Sequence, residues 1–266
     1  MKKLTILIVA LTILIPSLGY CDMLTIRLGY YMPDAFSNSY LSSHPESLFA
    51  TEFNQMSFLP SDFRGSILGL GYEFFLTKKL SFAISVDTFS HENGGYYRDY
   101  VGITMNTTGL QGEYAFPAAS YQGDAVQHSM DVSMTPIQFS LKFLPLGRKV
   151  RFIPYLGGGA GLYFVNAAIR GEIVDFSNGQ LVSDANQPAL GNYYIYPVVL
   201  AAASETRAVI GGHAFAGLMF PIGYRLTLEV EARYHYVKAN LSHAFPDYGT
   251  IDLSGLALSI GLNYWF

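Results

Sequence analysis

The carboxyl-terminal stretch LSGLALSIGLNYWF (253–266) alternates along its whole length. Leu256, Leu258, Ile260, Leu262, Tyr264 and Phe266 fall on one side of an extended chain. Gly255, Ala257, Ser259, Gly261, Asn263 and Trp265 fall on the other. Side chains on a strand repeat every two residues, so one face is wholly apolar and the other small or polar. Such a strand suits a wall with hydrocarbon on one side and a packed, partly polar interior on the other.

Seven further segments carry this period. A first strand at 24–33 sets Leu24, Ile26, Leu28, Tyr30 and Met32 against a face that holds Arg27. An arginine facing lipid near the bilayer midplane costs about 2–4 kcal/mol, so the Arg27 face is the lumen. Strands at about 66–76 and from 80 onward flank the three-residue turn 77–79, which makes them a hairpin. Their inward faces carry Glu73 and Asp87. A fourth strand, about 130–144, changes apolar phase near Pro136, which predicts a β-bulge there because proline lacks the ladder N–H. Strands at 151–164, about 208–220 and 226–237 precede the closing one. The stripe Gly157, Gly159 and Gly161 leaves inner space for bulky side chains from across a narrow barrel. It is no phosphate-binding loop, because no strand-to-helix context surrounds it.

Eight strands with three short turns and four longer loops (34–65, 90–129, 165–207 and 238–252) place both chain ends and the short turns on one side. This predicts an all-β, eight-stranded, antiparallel up-and-down transmembrane barrel. Composition agrees. Half the residues are apolar but only 14% are charged, against about 25% in a soluble domain. No internal run of about 20 apolar residues could form a spanning helix. The short turns hold Lys78, Lys79, Arg148, Lys149, Arg151 and Arg225 and no acid, whereas the charges of the long loops are mostly acidic. A basic start (Lys2, Lys3), an apolar run from Leu4 to Ile15 and Pro16 have the layout of a secretory signal peptide, 1–21, ahead of a barrel domain, 22–266. Cleavage after Gly19 or Cys21 fits. Lipoprotein processing at Cys21 is the rival reading, disfavoured because Tyr20 immediately before the cysteine is too large for that site. The single cysteine excludes an internal disulfide.

An eight-stranded barrel is filled by its own side chains. The inward set Arg27, Glu73, Asp87, Lys142, Glu229, Glu231 and Arg233 nearly cancels in charge, which predicts a lumen network of ion pairs and hydrogen bonds. Glu229 and Glu231 share a face, yet Arg233 shares it too and no substrate path is evident. The run Ser90, His91, Glu92 at a strand end makes no triad, because neighbours on a strand point to opposite faces. His213 and His235 read as hydrogen-bonded interior groups, and the six histidines show no metal-ligand spacing. The expectation is no enzyme, no catalytic residue, no cofactor, no metal and no nucleic-acid partner.

The final residues fit the outer-membrane assembly pattern through Ser259, Gly261, Tyr264 and Phe266. With IRLGYYMPD (26–34), PYLGGGAGLYF (154–164), GGHAFAGLMF (211–220) and LEVEARYHY (228–236), nearly all of the chain beyond the leader resembles the small outer-membrane β-barrel family that includes OmpX- and OmpW-like proteins. The resemblance implies residence in the outer membrane among its lipid and lipopolysaccharide. It implies insertion by the barrel-assembly machinery with periplasmic chaperones. It does not imply one activity, since the fold carries many. Long aromatic and acidic loops point to a structural or surface-interaction role with an extracellular partner. The alternative implied by OmpW-like barrels is a conduit for small hydrophobic molecules, motivated by the apolar stretch YYIYPVVLAAA (193–203) and the glycine stripe. A lipid-modifying enzyme is the third reading, and the residues around Ser90 do not resemble the lipid A deacylase motif.

Overall fold

A computed structural model describes residues 22–107, 109–183, 191–246, 248 and 250–266. The expected leader, with Cys21, lies outside the described residues. The strands are β1 (Met23–Pro33), β2 (Gly65–Phe75), β3 (Leu80–Thr107), β4 (Leu110–Pro117), β5 (Asp124–Phe143), β6 (Ile153–Val174), β7 (Gln180–Ser183), β8 (Asn192–Pro221), β9 (Leu226–Tyr236), β10 (Lys238–Asn240), β11 (Thr250–Asp252) and β12 (Gly255–Trp265). Two short helices, α1 (Asn38–Ser43) and α2 (Leu48–Gln55), lie between β1 and β2.

Eight of these strands close a ring. β1, β2, β3, β5, β6, β8, β9 and β12 each pair antiparallel with both neighbours. The ring shuts where β12 meets β1, from Met23↔Trp265 to Pro33↔Gly255. The architecture is the expected all-β, eight-stranded up-and-down barrel. Alternation fixes which side each residue faces. Leu28 is 63% exposed and Ile260 60% exposed on the outside, whereas Arg27 and Asn263 are buried within. β1, β2, β9 and β12 are 11 residues each. At about 3.3 Å per residue and a tilt near 45° they match the roughly 25 Å apolar band of a membrane barrel.

The other four strands are much longer, at 28, 20, 22 and 30 residues for β3, β5, β6 and β8. They rise beyond the apolar band as a half-wall. Segments expected as loops, 90–129 and 165–207, are therefore largely strand. The stretch 193–203 is the upper part of β8 and not a loop. The reason lies in the pattern. Above the band the alternation inverts on β5 and β6, with polar residues outward and apolar ones inward, whereas on β8 Leu200 stays 86% exposed. On β5, Val126, Met130, Val132 and Met134 are buried inside, while Gln127, Ser129, Asp131 and Ser133 face out. Below Pro136 the inward residues become Gln138, Ser140 and Lys142, and Ile137, Phe139 and Leu141 face out. The bulge expected at Pro136 is absent. β5 pairs with β6 in unbroken register through Pro136↔Tyr163. The side-chain parity never changes; only the environment does. The register shift on this pair of walls lies between Tyr96 and Val101 of β3.

Apolar inner residues above the band need a partner, and residues 34–64 supply it. This segment folds back as a plug. Phe36, Leu48, Phe49, Phe53, Phe58 and Phe63 join Val126, Met130, Val132, Tyr163, Val165 and Phe245 in one buried cluster. α2 is capped by Ser47, whose Oγ accepts from Ala50 N at 3.2 Å. Arg98 on β3 closes its other end by donating to the carbonyls of Met56, at 2.5 Å, and Phe53. The Glu52 carboxylate meets His128 Nε2 on β5 at 2.6 Å. Deleting the long loop would thus expose a large apolar interior, which is why so many aromatic residues stand in it.

Candidate functional site: the lumen and its two closures

β1, β3 and β9 converge their inward charges at one level. Arg27 pairs with Asp87 at 3.0 Å and with Glu231 at 3.6 Å. Arg233 pairs with the same two acids, at 3.6 Å and 2.9 Å. The four groups form a square in which each base holds both acids. Nearer the short turns, Lys142 lies 2.9 Å from Glu73 and 3.5 Å from Glu229. All seven residues predicted to line the lumen are buried there. Among the described residues Glu229 Oε1 accepts no hydrogen bond, and other valences of the set are filled by groups that the charge pattern alone did not single out. Tyr155 donates to Glu231 at 3.0 Å, Asn263 to Glu229 at 3.0 Å, Ser81 to Glu73 at 2.5 Å, and Arg233 also reaches Gln138. Small and amide side chains in period 2 were the available signal, but they are common on lumen faces and carry no charge to mark them.

His213 contacts Ser140 Oγ at 2.7 Å and His235 contacts Gln138 at 3.1 Å, so both are interior hydrogen-bonding groups. On β3, Ser90 and Glu92 share the outer face with exposed side chains, while His91 has the opposite parity. The glycine stripe has a definite use. A Cβ on Gly157 would lie 2.5 Å from Phe215 Cζ, and Phe215 stands on the adjacent β8 rather than across the barrel. The Arg233 guanidinium rests over that ring at 4.7 Å. Cation and ring attract, and the glycines make the space for them.

Apolar layers close the polar zone at both ends. Toward the short turns, Met23, Phe75, Leu144, Ile153 and Met219 pack with Trp265, and Arg148 lies 4.5 Å over the Phe75 ring. Toward the long loops stands the plug. Between them, cavities of about 20 and 10 Å³ lie beside Arg27, Glu231 and Arg233, room for a single water at most. Among the described residues, no group of three metal-ligating side chains gathers in one place.

The assembly-pattern residues occupy the seam of the ring. Ser259 and Gly261 face inward opposite Gly29 and Arg27 of β1, and Tyr264 and Phe266 face outward and exposed. Beyond the band, an open depression of about 570 Å³ is lined by Arg98, Asp99, Tyr100, Pro117, Ala118 and Ala119.

No family model and no curated protein sequence matches the chain. Solved structures that resemble it are outer-membrane barrels. Neisserial surface protein A shares 11% identity over 92% of this chain and 97% of its own, with a TM-score of 0.43. Ail, the attachment invasion locus protein of Yersinia pestis, shares 12% over 94% and 100%, with a TM-score of 0.41. A major outer membrane protein from Thermus thermophilus shares 9% over 94% and 100%, with a TM-score of 0.45.

Proposed function

We propose that the chain is an integral outer-membrane barrel with a closed lumen that holds a rigid acidic structure outside the cell for contact with partners there. The observation that carries this reading is the pairing of a sealed interior with a half-wall rising far above the apolar band. A conduit needs a continuous passage, whereas a surface module needs rigid elements beyond the lipid. The segments 34–64, 90–131, 166–209 and 237–254 hold fifteen acids against five bases. Three of those bases are already engaged: Arg98 by carbonyls, Arg207 by Glu205 and Lys238 by Asp252. The outer face of the band meets outer-membrane lipid and lipopolysaccharide. The leader directs export, and Ser259, Gly261, Tyr264 and Phe266 address the chain to the barrel-assembly machinery. The lumen charges hold the wall together and do no chemistry.

Two measurements test this function together. In planar bilayers the folded protein gives a flat baseline; steady ohmic steps would end the closed-lumen reading. Replacing 93–128 by a short turn leaves heat-modifiable gel mobility intact and abolishes adhesion or partner capture by cells that display the protein. Unchanged adhesion would remove the surface role.

A further inference from the structure

The short-turn rim carries a second surface that the outward-facing function does not use. Lys78 and Lys79 follow β2, and Arg148, Lys149 and Arg151 precede β6. These two turns touch. Leu144 N donates to Lys79 O at 2.7 Å. Gly147, held at φ +69°, packs so close that an added Cβ would sit 3.6 Å from Lys78 O. Five bases therefore share one patch. Among the described residues none of them enters an ion pair, and Lys78, Lys79, Lys149 and Arg151 are exposed. Two leucines stand among them, Leu76 at 55% and Leu146 at 61% exposure. Phe82, Phe143 and Phe152 follow on the outer surface of the adjoining strands. On the membrane reading, these apolar tips fall at the edge of the hydrocarbon and the exposed ammonium and guanidinium groups fall at the height of lipid phosphates.

We propose that this patch binds the headgroup phosphates of anionic glycerophospholipids in the periplasmic leaflet. The proposal rests on the membrane reading above. Lys and Arg at a membrane surface each favour anionic over zwitterionic lipid, and four exposed ones together give a preference of at least about tenfold. Leu76 and Leu146 fix the depth at which the bases meet the phosphates. A protein partner would need a way past the surrounding lipid, whereas the lipid is already in place.

Trp265 packs inside the lumen layer, so the reporter is Phe152→Trp in a Trp265→Phe background; Phe152 is 52% exposed and Arg151 lies 5.7 Å from its ring. The full barrel carrying this reporter is reconstituted in phosphatidylcholine bilayers containing brominated phosphatidylglycerol or, separately, brominated phosphatidylcholine, and quenching of the tryptophan at 152 is titrated. The expected result is a relative binding constant of about ten or more for the glycerol lipid, falling toward one in roughly 0.5 M salt. The variant Lys78→Gln/Lys79→Gln/Lys149→Gln/Arg151→Gln loses the preference and keeps its gel mobility. Equal quenching by both lipids with the bases intact, or an undiminished preference in the variant, would overturn the proposal. Displacement of the lipid by millimolar inorganic phosphate would reassign the patch to a free anion and overturn it too. Failure to insert into either bilayer would instead sink the membrane reading, a different and separable outcome.

Discussion

Each guanidinium of the lumen square holds two carboxylates, so removing one leaves two acids dependent on a single base. Arg233→Met strands Asp87 and Glu231 on Arg27 and takes the partner from Gln138. Breaking a buried pair on one side costs about 3–5 kcal/mol, because the remaining charge stays desolvated. The double variant Arg233→Met/Glu231→Leu removes one charge of each sign and recovers part of that loss. Urea unfolding in lipid, followed through Trp265 fluorescence, measures both; a single variant within about 1 kcal/mol of the parent would refute the square as a stabilising unit. The direction of these residues was legible in the sequence, because a lone charge inside an apolar alternation has only one tolerable face. Their partners were not. Lys142 and Glu73 meet across 69 residues of chain, and that meeting depends on strand register, which local pattern does not specify.

At the scale of the element, the legible signal was apolar residues facing out, and it ended where the lipid ends. β8 shows the consequence. Its lower part reads as a strand, while VVLAAA at 198–203 looks like a loop because its surroundings have changed. The plug was invisible for a related reason: helices of 6 and 8 residues are too short to display a period. The β10–β11 hairpin shows how such added pieces are tied down. Glu205 on β8 accepts from the backbone N–H groups of His243 and Ala244, at 3.0 and 2.8 Å, and pairs with Arg207. The Ala244 N–H and the Arg207 guanidinium hold its carboxyl below the ordinary glutamate value of 4.5. A depressed carboxyl stabilises the fold above that value and ceases to do so as pH falls through its own lower one. Protection of the His243 and Ala244 amides, taken against the intrinsic exchange rate at each pH, should therefore be lost selectively in acid. Glu205→Gln should keep that protection low at every pH, and protection in the parent that does not fall in acid would show that the contact does not form. The closing strand has its own test. Deleting Phe266 should lower assembled protein in the outer membrane without lowering synthesis, and full assembly would exclude it from the address.

For the molecule as a whole, the plug, the ion-pair square and the apolar layer of Phe75, Leu144 and Trp265 at the short turns are built from different physics and sit in series. The plug fills the upper interior with packed aromatic rings, and below it the ion-pair square fills the barrel with charge and hydrogen bonds. Removing 38–56 takes away α1, α2 and the rings of Phe49 and Phe53, and exposes Met130, Val132 and Val165 to water. An exposed apolar surface of this kind binds hydrophobic dyes, so fluorescence of an added naphthalene dye should rise sharply. Conductance should stay flat, because the square and Phe215 still occupy the cross-section. Arg233→Ala/Phe215→Ala alone should also stay flat, since the plug stands above it. Only these two changes joined to Leu144→Ala/Trp265→Ala, which loosens the apolar layer at the short turns, should open an ion path, at a cost in stability larger than any one change alone. If the plug deletion by itself conducts, the lower lumen is not a seal, and the molecule is a gated pore whose gate is the segment 34–64. Flat baselines in the partial variants, with steps in the full combination, identify independent seals in series and leave the outer wall as the part of the barrel that meets the world outside.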